Sequence, residues 1–383
     1  MRQRQWLRIV SGFALLSLFE AGSLCLAAGA GPEELQNRPE KIQFPPPAAT
    51  AHLDFSAGVP VVSVTINEHL TIKVRIDTGS YASRFDKHLV QRLGLGPVES
   101  GYVRIDSLGL AGAVFTGVKV KVVEAATDSV DGAKKYSGSL GLSLFADCLL
   151  SLDFPRSQLS IRRGDLPAAD GQGILDYKNS GGLVTFPLSV GGVATEFILD
   201  TGSRQAFTLA KSLRGKVKVT TRSPLAPKKN IYFTDVDLAE PILPGTVSIG
   251  SHRLIECPVT FHDGPSNLGS NVLKHFLVTI DQKNRRVLIG RNWKAPISLV
   301  VRSRFGLVFE RQGRALIVVH VFPESTAEAS VVKVGDSVIE LGRRGVLDLS
   351  NKALRSLLRE AEYIVLKIDY SGVHLLVGLD AAG

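Results

Sequence analysis

The sequence predicts a mainly β protein, with two β lobes in a pseudo-two-fold arrangement followed by a small α/β unit. Three observations carry that expectation. The tetrapeptide Asp77-Thr78-Gly79-Ser80 recurs as Asp200-Thr201-Gly202-Ser203, each copy directly after an apolar run of β character. Leu140-Gly141 and Leu268-Gly269 are followed, at one common spacing, by Leu152-Asp153 and Ile280-Asp281. A second anchor therefore repeats behind the first, as internal duplication requires. Beyond Trp293 the character changes to short strands and one amphipathic helix.

The first segment, 1–30, reads as a signal peptide. Arg2, Arg4 and Arg8 make a positive n-region, Ile9 to Phe19 is a short apolar stretch ended by Glu20, and Ala28-Gly29-Ala30 has the small-x-small pattern of a cleavage site. The run is short for a membrane span, and Glu20 would sit badly in lipid. Cleavage leaves a periplasmic or secreted protein with no stable membrane span; the alternative is an uncleaved N-terminal anchor. Cleavage also removes Cys25, so that Cys148 and Cys257 remain, either as one disulfide or as two separately buried thiols. Residues 31–55 contain Phe44-Pro45-Pro46-Pro47-Ala48-Ala49 and read as a Pro/Ala-rich linker.

Residues 56–165 form the expected first lobe. Val62, Val64 and Ile66 alternate with polar residues, Asn67-Glu68 turns the chain, and Ile72, Val74 and Ile76 alternate again up to Asp77. Ser83 to Leu95 has the spacing of a short amphipathic helix. After a polar join from Gly164 to Gly173, residues 174–292 repeat the order: Val184, Phe186, Leu188 and Val190, a Gly191-Gly192 turn, then Phe197-Ile198-Leu199 into Asp200. In 300–383 the expected elements are strands around Leu307-Val308-Phe309 and Leu316 to Val321, a Gly335-Asp336 turn, and a helix from Asn351 to Glu360 with Ser350 as N-cap. A strand pair, Tyr363 to Tyr370 and His374 to Leu379, closes the unit.

Composition narrows the function. The formal charge of +9 is spread along 383 residues, with Lys228-Lys229 and Arg285-Arg286 as isolated pairs and no basic run interleaved with aromatics, so nucleic acid is not an expected partner. There is no His-x-x-x-His pair, Cys/His cluster, P-loop or Gly-x-Ser-x-Gly elbow. Asp153 and Asp281 each end an apolar strand before a turn and read as structural turn-formers.

Asp77 and Asp200 are the candidate catalytic residues. Two carboxylates brought together share a proton, and the ionised one can draw a proton from a water while the protonated one donates to a carbonyl oxygen. Gly79 and Gly202 permit close backbone approach, Thr78 and Thr201 can bond across a two-fold interface, and Ser80 and Ser203 can donate to the outer carboxylate oxygens and favour ionisation. That support predicts an acidic to mildly acidic optimum.

With these motifs the two halves resemble the retropepsin-like aspartic proteases, fused in tandem as in pepsin-type enzymes but with shorter lobes. The resemblance covers Ser56 to Arg291 and implies an aspartic endopeptidase with an intramolecular dyad, polypeptide substrates, no metal and no cofactor. It also implies a flap over the substrate, for which Leu108-Gly109-Leu110-Ala111-Gly112 is the candidate. The corresponding Asn230 to Pro244 carries Pro241 and Pro244, and Tyr102 and Tyr232 read as packed aromatics rather than a flap tyrosine. The C-terminal unit resembles a PDZ domain through Phe305-Gly306-Leu307-Val308-Phe309, Ser325-Thr326-Ala327 and the turn Val334-Gly335-Asp336, with Ser330 where a glycine is common. This resemblance implies binding of a peptide C-terminus at Phe305, Gly306, Leu307 and Val308. Two alternatives stand at this point: a non-enzymatic envelope peptide-binding scaffold, and repeats that pair between two chains rather than within a monomer.

Overall fold

Alternating apolar residues fold the chain from Val61 onward into hairpins, and each hairpin recurs. The computed structural model describes residues 37–45, 48–124, 129–130, 133–134, 136–221, 232–233, 241–291, 295–299, 305–322 and 325–381. The signal-peptide reading lies outside the described residues. Among the described residues, no helix is long and apolar enough to cross a membrane.

In the first lobe, β1 (Val61–Ile66) and β2 (Leu70–Ile76) form a hairpin ending at Asp77. Then come β3 (Arg84–Asp86), α1 (Lys87–Arg92), β4 (Tyr102–Leu110), β5 (Ala113–Val123) and β6 (Gly138–Leu140). The pairings close into a ring of six strands, β5-β3-β6-β2-β1-β4 and back to β5. The helix is shorter than the spacing of Ser83 to Leu95 suggests. Its front turn is taken into the sheet as β3, and Asp86 caps the remainder by accepting from Leu89 N at 2.7 Å.

The second lobe repeats the strand order. It contains β9 (Leu183–Val190), β10 (Val193–Asp200), β11 (Phe207–Ala210), β12 (Pro241–Ile249), β13 (His252–His262), β14 (Asn267–Gly269) and α2 (Ser270–Leu273). Among the described residues, its ring is left open between its first hairpin and β12. The senses of pairing match strand for strand. β6 runs parallel to β2 and antiparallel to β3, as β14 does to β10 and β11, and β3–β5 and β11–β13 are both parallel.

Between the lobes lies a six-stranded sheet to which both contribute. β7 (Leu149–Asp153) pairs antiparallel with β15 (Leu277–Asp281), flanked by β8 (Gln158–Arg162) and β16 (Arg286–Gly290). Ser151 faces Thr279 at its centre, with hydroxyl oxygens 2.8 Å apart. Asp153 and Asp281 cap the turns that follow, accepting from Arg156 N and Asn284 N at 3.1 Å each. The Pro/Ala-rich segment does not hang free. Lys41–Gln43 pairs with β5 and Ala49–His52 with the edge of β8, because each supplies a short run free of proline to an open strand edge. One continuous apolar core runs through both lobes, and the free thiols of Cys148 and Cys257 are buried in it. Burial first, then a neighbouring carboxylate, pushes each thiol up to about 12.

The C-terminal unit has its own core. It comprises β17 (Leu307–Gln312), β18 (Ala315–Val321), β19 (Ser337–Leu341), α3 (Asn351–Glu360), β20 (Tyr363–Tyr370) and β21 (Val373–Asp380), hydrogen-bonded in that strand order. Ser350 caps α3 as its sequence position predicts, accepting from Ala353 N at 3.2 Å.

Candidate active site

β2 and β10 each run into an Asp-Thr-Gly-Ser turn, and the two turns meet. Thr78 Oγ1 donates to Leu199 O at 2.7 Å and accepts from Thr201 N at 3.0 Å. Thr201 Oγ1 donates to Ile76 O at 2.7 Å and accepts from Thr78 N at 3.1 Å. Four bonds between fully buried groups therefore lock the turns about a local two-fold axis.

The lock places each carboxylate against the other turn. A β-carbon on Gly202 would lie 2.5 Å from Asp77 Oδ1, and one on Gly79 would collide with the Asp200 carboxylate. Both glycines are required by a close approach across the axis. The fourth residue after each aspartate also crosses. Arg204 Nε donates to Ala57 O at 2.7 Å, and the Tyr81 ring fills the space a side chain on Gly182 would need.

The symmetry ends at the carboxylates. Arg75 Nη2 donates to Asp77 Oδ2 at 2.9 Å, and the guanidinium stands 5.5 Å from the centre of the Tyr136 ring. Asp200 Oδ1 instead accepts from Gly202 N and Ser203 N, at 2.9 and 3.1 Å, while Oδ2 accepts from Asn267 Nδ2 at 2.8 Å. Burial, and then the charge of Asp77, raises the Asp200 carboxyl above the ordinary carboxylate value.

Some expected parts stand elsewhere. The Ser80 hydroxyl donates to Ala82 O at 3.0 Å, and that of Ser203 accepts from Gln205 N at 3.3 Å. The Ser80 proton is thus spent on the backbone and not on a carboxylate, and the Ser203 oxygen is engaged as an acceptor within its own turn. The expected flap Leu108–Gly112 is packed into the wall of the ring. Leu108 and Leu110 are buried, and Leu108 and Gly109 pair with Ile66 and Thr65 of β1.

Register shows which loops adjoin the strands beside the dyad. In the first lobe Ile76 pairs with Leu140, while Gly138, two residues earlier on that strand, faces Phe85, which pairs with Val122 beside the tight turn Glu99–Tyr102. In the second lobe Leu199, Leu268, Phe207 and Val259 form one row, and Pro258 beside it faces Ile242, which pairs with Thr220 at the base of the connection that contains Tyr232 and Phe233. Residues 230, 231 and 234–240 of the expected second flap lie outside the described residues.

Arg75 and Asn267 are site residues that motif reading missed. Arg75 stands two residues before Asp77, on the same face of the strand. Asn267 stands two before Gly269, beside Ile198 in the parallel ladder. Period-two alternation counted back from each motif would have found both.

In the C-terminal unit, Phe305 is buried, Gly306 turns with φ +75°, and Leu307 and Val308 open β17. A β-carbon on Gly306 would collide with Ser325. Asp336 Oδ2 accepts from Lys333 N at 2.8 Å and Tyr370 Oη at 3.1 Å. Comparison with known proteins finds no matching family model and no matching curated relative.

Proposed function

We propose that the chain is an aspartic endopeptidase of retropepsin-like type with a PDZ-like C-terminal domain, acting on extended polypeptides in a periplasmic or extracellular compartment. The observation that carries the reading is the reciprocal Thr78–Thr201 lock, which sets two aspartates against each other within one chain. The same lock favours an intramolecular dyad over pairing between chains.

The differing surroundings assign the roles. Arg75 pairs with Asp77 Oδ2, while burial and then the charge of Asp77 favour the protonated form of Asp200. A water held between them gives a proton to Asp77 as its oxygen attacks the peptide carbonyl carbon. Asp200 donates its proton to the carbonyl oxygen, forming a neutral diol. Collapse of the diol returns a proton to Asp200 and passes the one on Asp77 to the leaving amine, which restores the starting pair. The backbone N–H groups of Gly202 and Ser203 hold Asp200 in orientation throughout.

One observation favours the non-enzymatic scaffold: Arg75 engages the Asp77 oxygen that a substrate water would otherwise use. Incubating the purified chain without residues 1–30 with an unfolded protein, from acidic to neutral pH, separates the readings. Cleavage by wild type that Asp77→Asn abolishes supports the protease. Equal inertness of the two proteins sinks it.

A further inference from the structure

The C-terminal sheet has one strand that the C-terminal unit does not supply. Tyr232–Phe233, from the second lobe, pairs antiparallel with β17 in the register Tyr232 with Glu310 and Phe233 with Phe309. It lies on the side of β17 away from β18 and also contacts α3. Arg311 fixes the walls of this groove. From β17 it donates to Val346 O at 3.1 Å and Leu349 O at 2.8 Å, in the loop that leads into α3. A strand edge between a rigid β17 and a helix is the geometry that accepts an extended peptide by main-chain pairing.

We infer that the groove between β17 and α3 is a peptide-docking surface whose resident occupant is the chain's own Tyr232–Phe233 segment, and that an external extended peptide must displace it. The inference rests on the peptide-groove reading of the C-terminal unit and not on the dyad. Two features bear on the competition. Among the described residues the ladder pairs Tyr232 and Phe233 with Glu310 and Phe309 in the middle of the six-residue β17, so an external strand contests the same main-chain positions. The occupant is also internal to the chain, so binding needs no terminal carboxylate. Tethering gives the resident segment an effective concentration of about 1 mM or more, which an external peptide has to exceed.

The test uses a fluorescent, C-terminally amidated octapeptide copying residues 229–236, Lys-Asn-Ile-Tyr-Phe-Thr-Asp-Val. Binding is read by anisotropy on the chain without residues 1–30, carrying Asp200→Asn so that cleavage plays no part. A variant with residues 229–236 replaced by Gly/Ser of equal length should bind the peptide about tenfold more tightly than the chain that keeps its own segment. Equal affinity of the two, or no binding by the replaced chain at about 1 mM peptide, overturns the proposal. A second variant, Tyr232→Cys with Glu310→Cys, checks occupancy directly, because facing residues of an antiparallel pair lie about 5 Å apart, within disulfide reach. The folded oxidised form should lose peptide binding and regain it on reduction. Failure of that bond to form in folded protein counts against the resident strand. Neither readout depends on proteolysis, so failure here and failure of the protease reading are separate results.

Discussion

Arg75 and Asp77 stand two residues apart on one strand and form an ion pair at 2.9 Å, 7% of the Asp77 side chain remaining exposed. Ile198 holds the corresponding place before Asp200. One aspartate of the pseudo-symmetric pair is thus held by an arginine, and the other by backbone N–H groups and an amide.

Arg75→Gln tests that asymmetry. The Arg75 charge is one of the influences that lower Asp200, against the dominant effects of burial and Asp77. Removing it makes Asp200 harder to ionise. The alkaline limb of the pH–rate profile should move to higher pH, while Arg75→Lys should keep most of the wild-type profile. An unmoved limb in an active Arg75→Gln enzyme would show that the arginine has only a structural role.

The crossing glycines give a second prediction. Gly202→Ala places a methyl group 2.5 Å from Asp77 Oδ1. Displacing a catalytic carboxylate by about 1 Å costs about 100-fold in rate. The variant should fold, by circular dichroism and melting, and lose at least that factor in kcat/KM. Near-wild-type turnover would mean that the approach of the turns is unimportant for chemistry.

Thr201→Val removes a hydroxyl that satisfies the buried Thr78 N–H and Ile76 carbonyl. Each buried group left unpaired costs about 1–3 kcal/mol, so urea unfolding should show a loss of about 2–6 kcal/mol. The double variant Thr78→Val with Thr201→Val should lose less than the sum of the single losses, because the four bonds form one network.

Stability should also depend on pH through Asp200. Its folded value is raised, so the folded chain binds the proton more tightly than the unfolded chain does. The stabilisation from the protonated group is fully present below the ordinary carboxylate value and is lost as pH rises through the raised one. Asp200→Asn cannot ionise and escapes that loss. Its melting temperature should therefore gain on wild type as the pH is raised from acidic to neutral, and a gap independent of pH would rule out the shift.

The duplicated lobes were legible because repeated letters fell in repeated patterns. Two Asp-Thr-Gly-Ser motifs, two alternating hairpins and two Leu-Gly anchors each map onto the same strand in the same pairing sense. The helix at Lys87–Arg92 was legible in place but not in length, since its first turn is claimed by a sheet partner, Val122, from a distant part of the chain. Ser80 and Ser203 were misread for a related reason: a motif says which hydroxyls stand near a carboxylate, and local turn bonds decide where they point.

Local order in the sequence thus sufficed for the lobes, the aspartates and the caps, because periodicity and turn chemistry act between near neighbours. The flap did not yield to it. The tip at Leu108–Gly112 has the composition of a mobile hairpin, yet its leucines are buried and Leu108 and Gly109 are paired with Ile66 and Thr65 of a strand about 40 residues earlier. Register also brings Tyr232–Phe233 to β17, about 75 residues further along the chain. Such long-range pairings depend on which edges remain open once the local hairpins have formed, and the folded arrangement settles that.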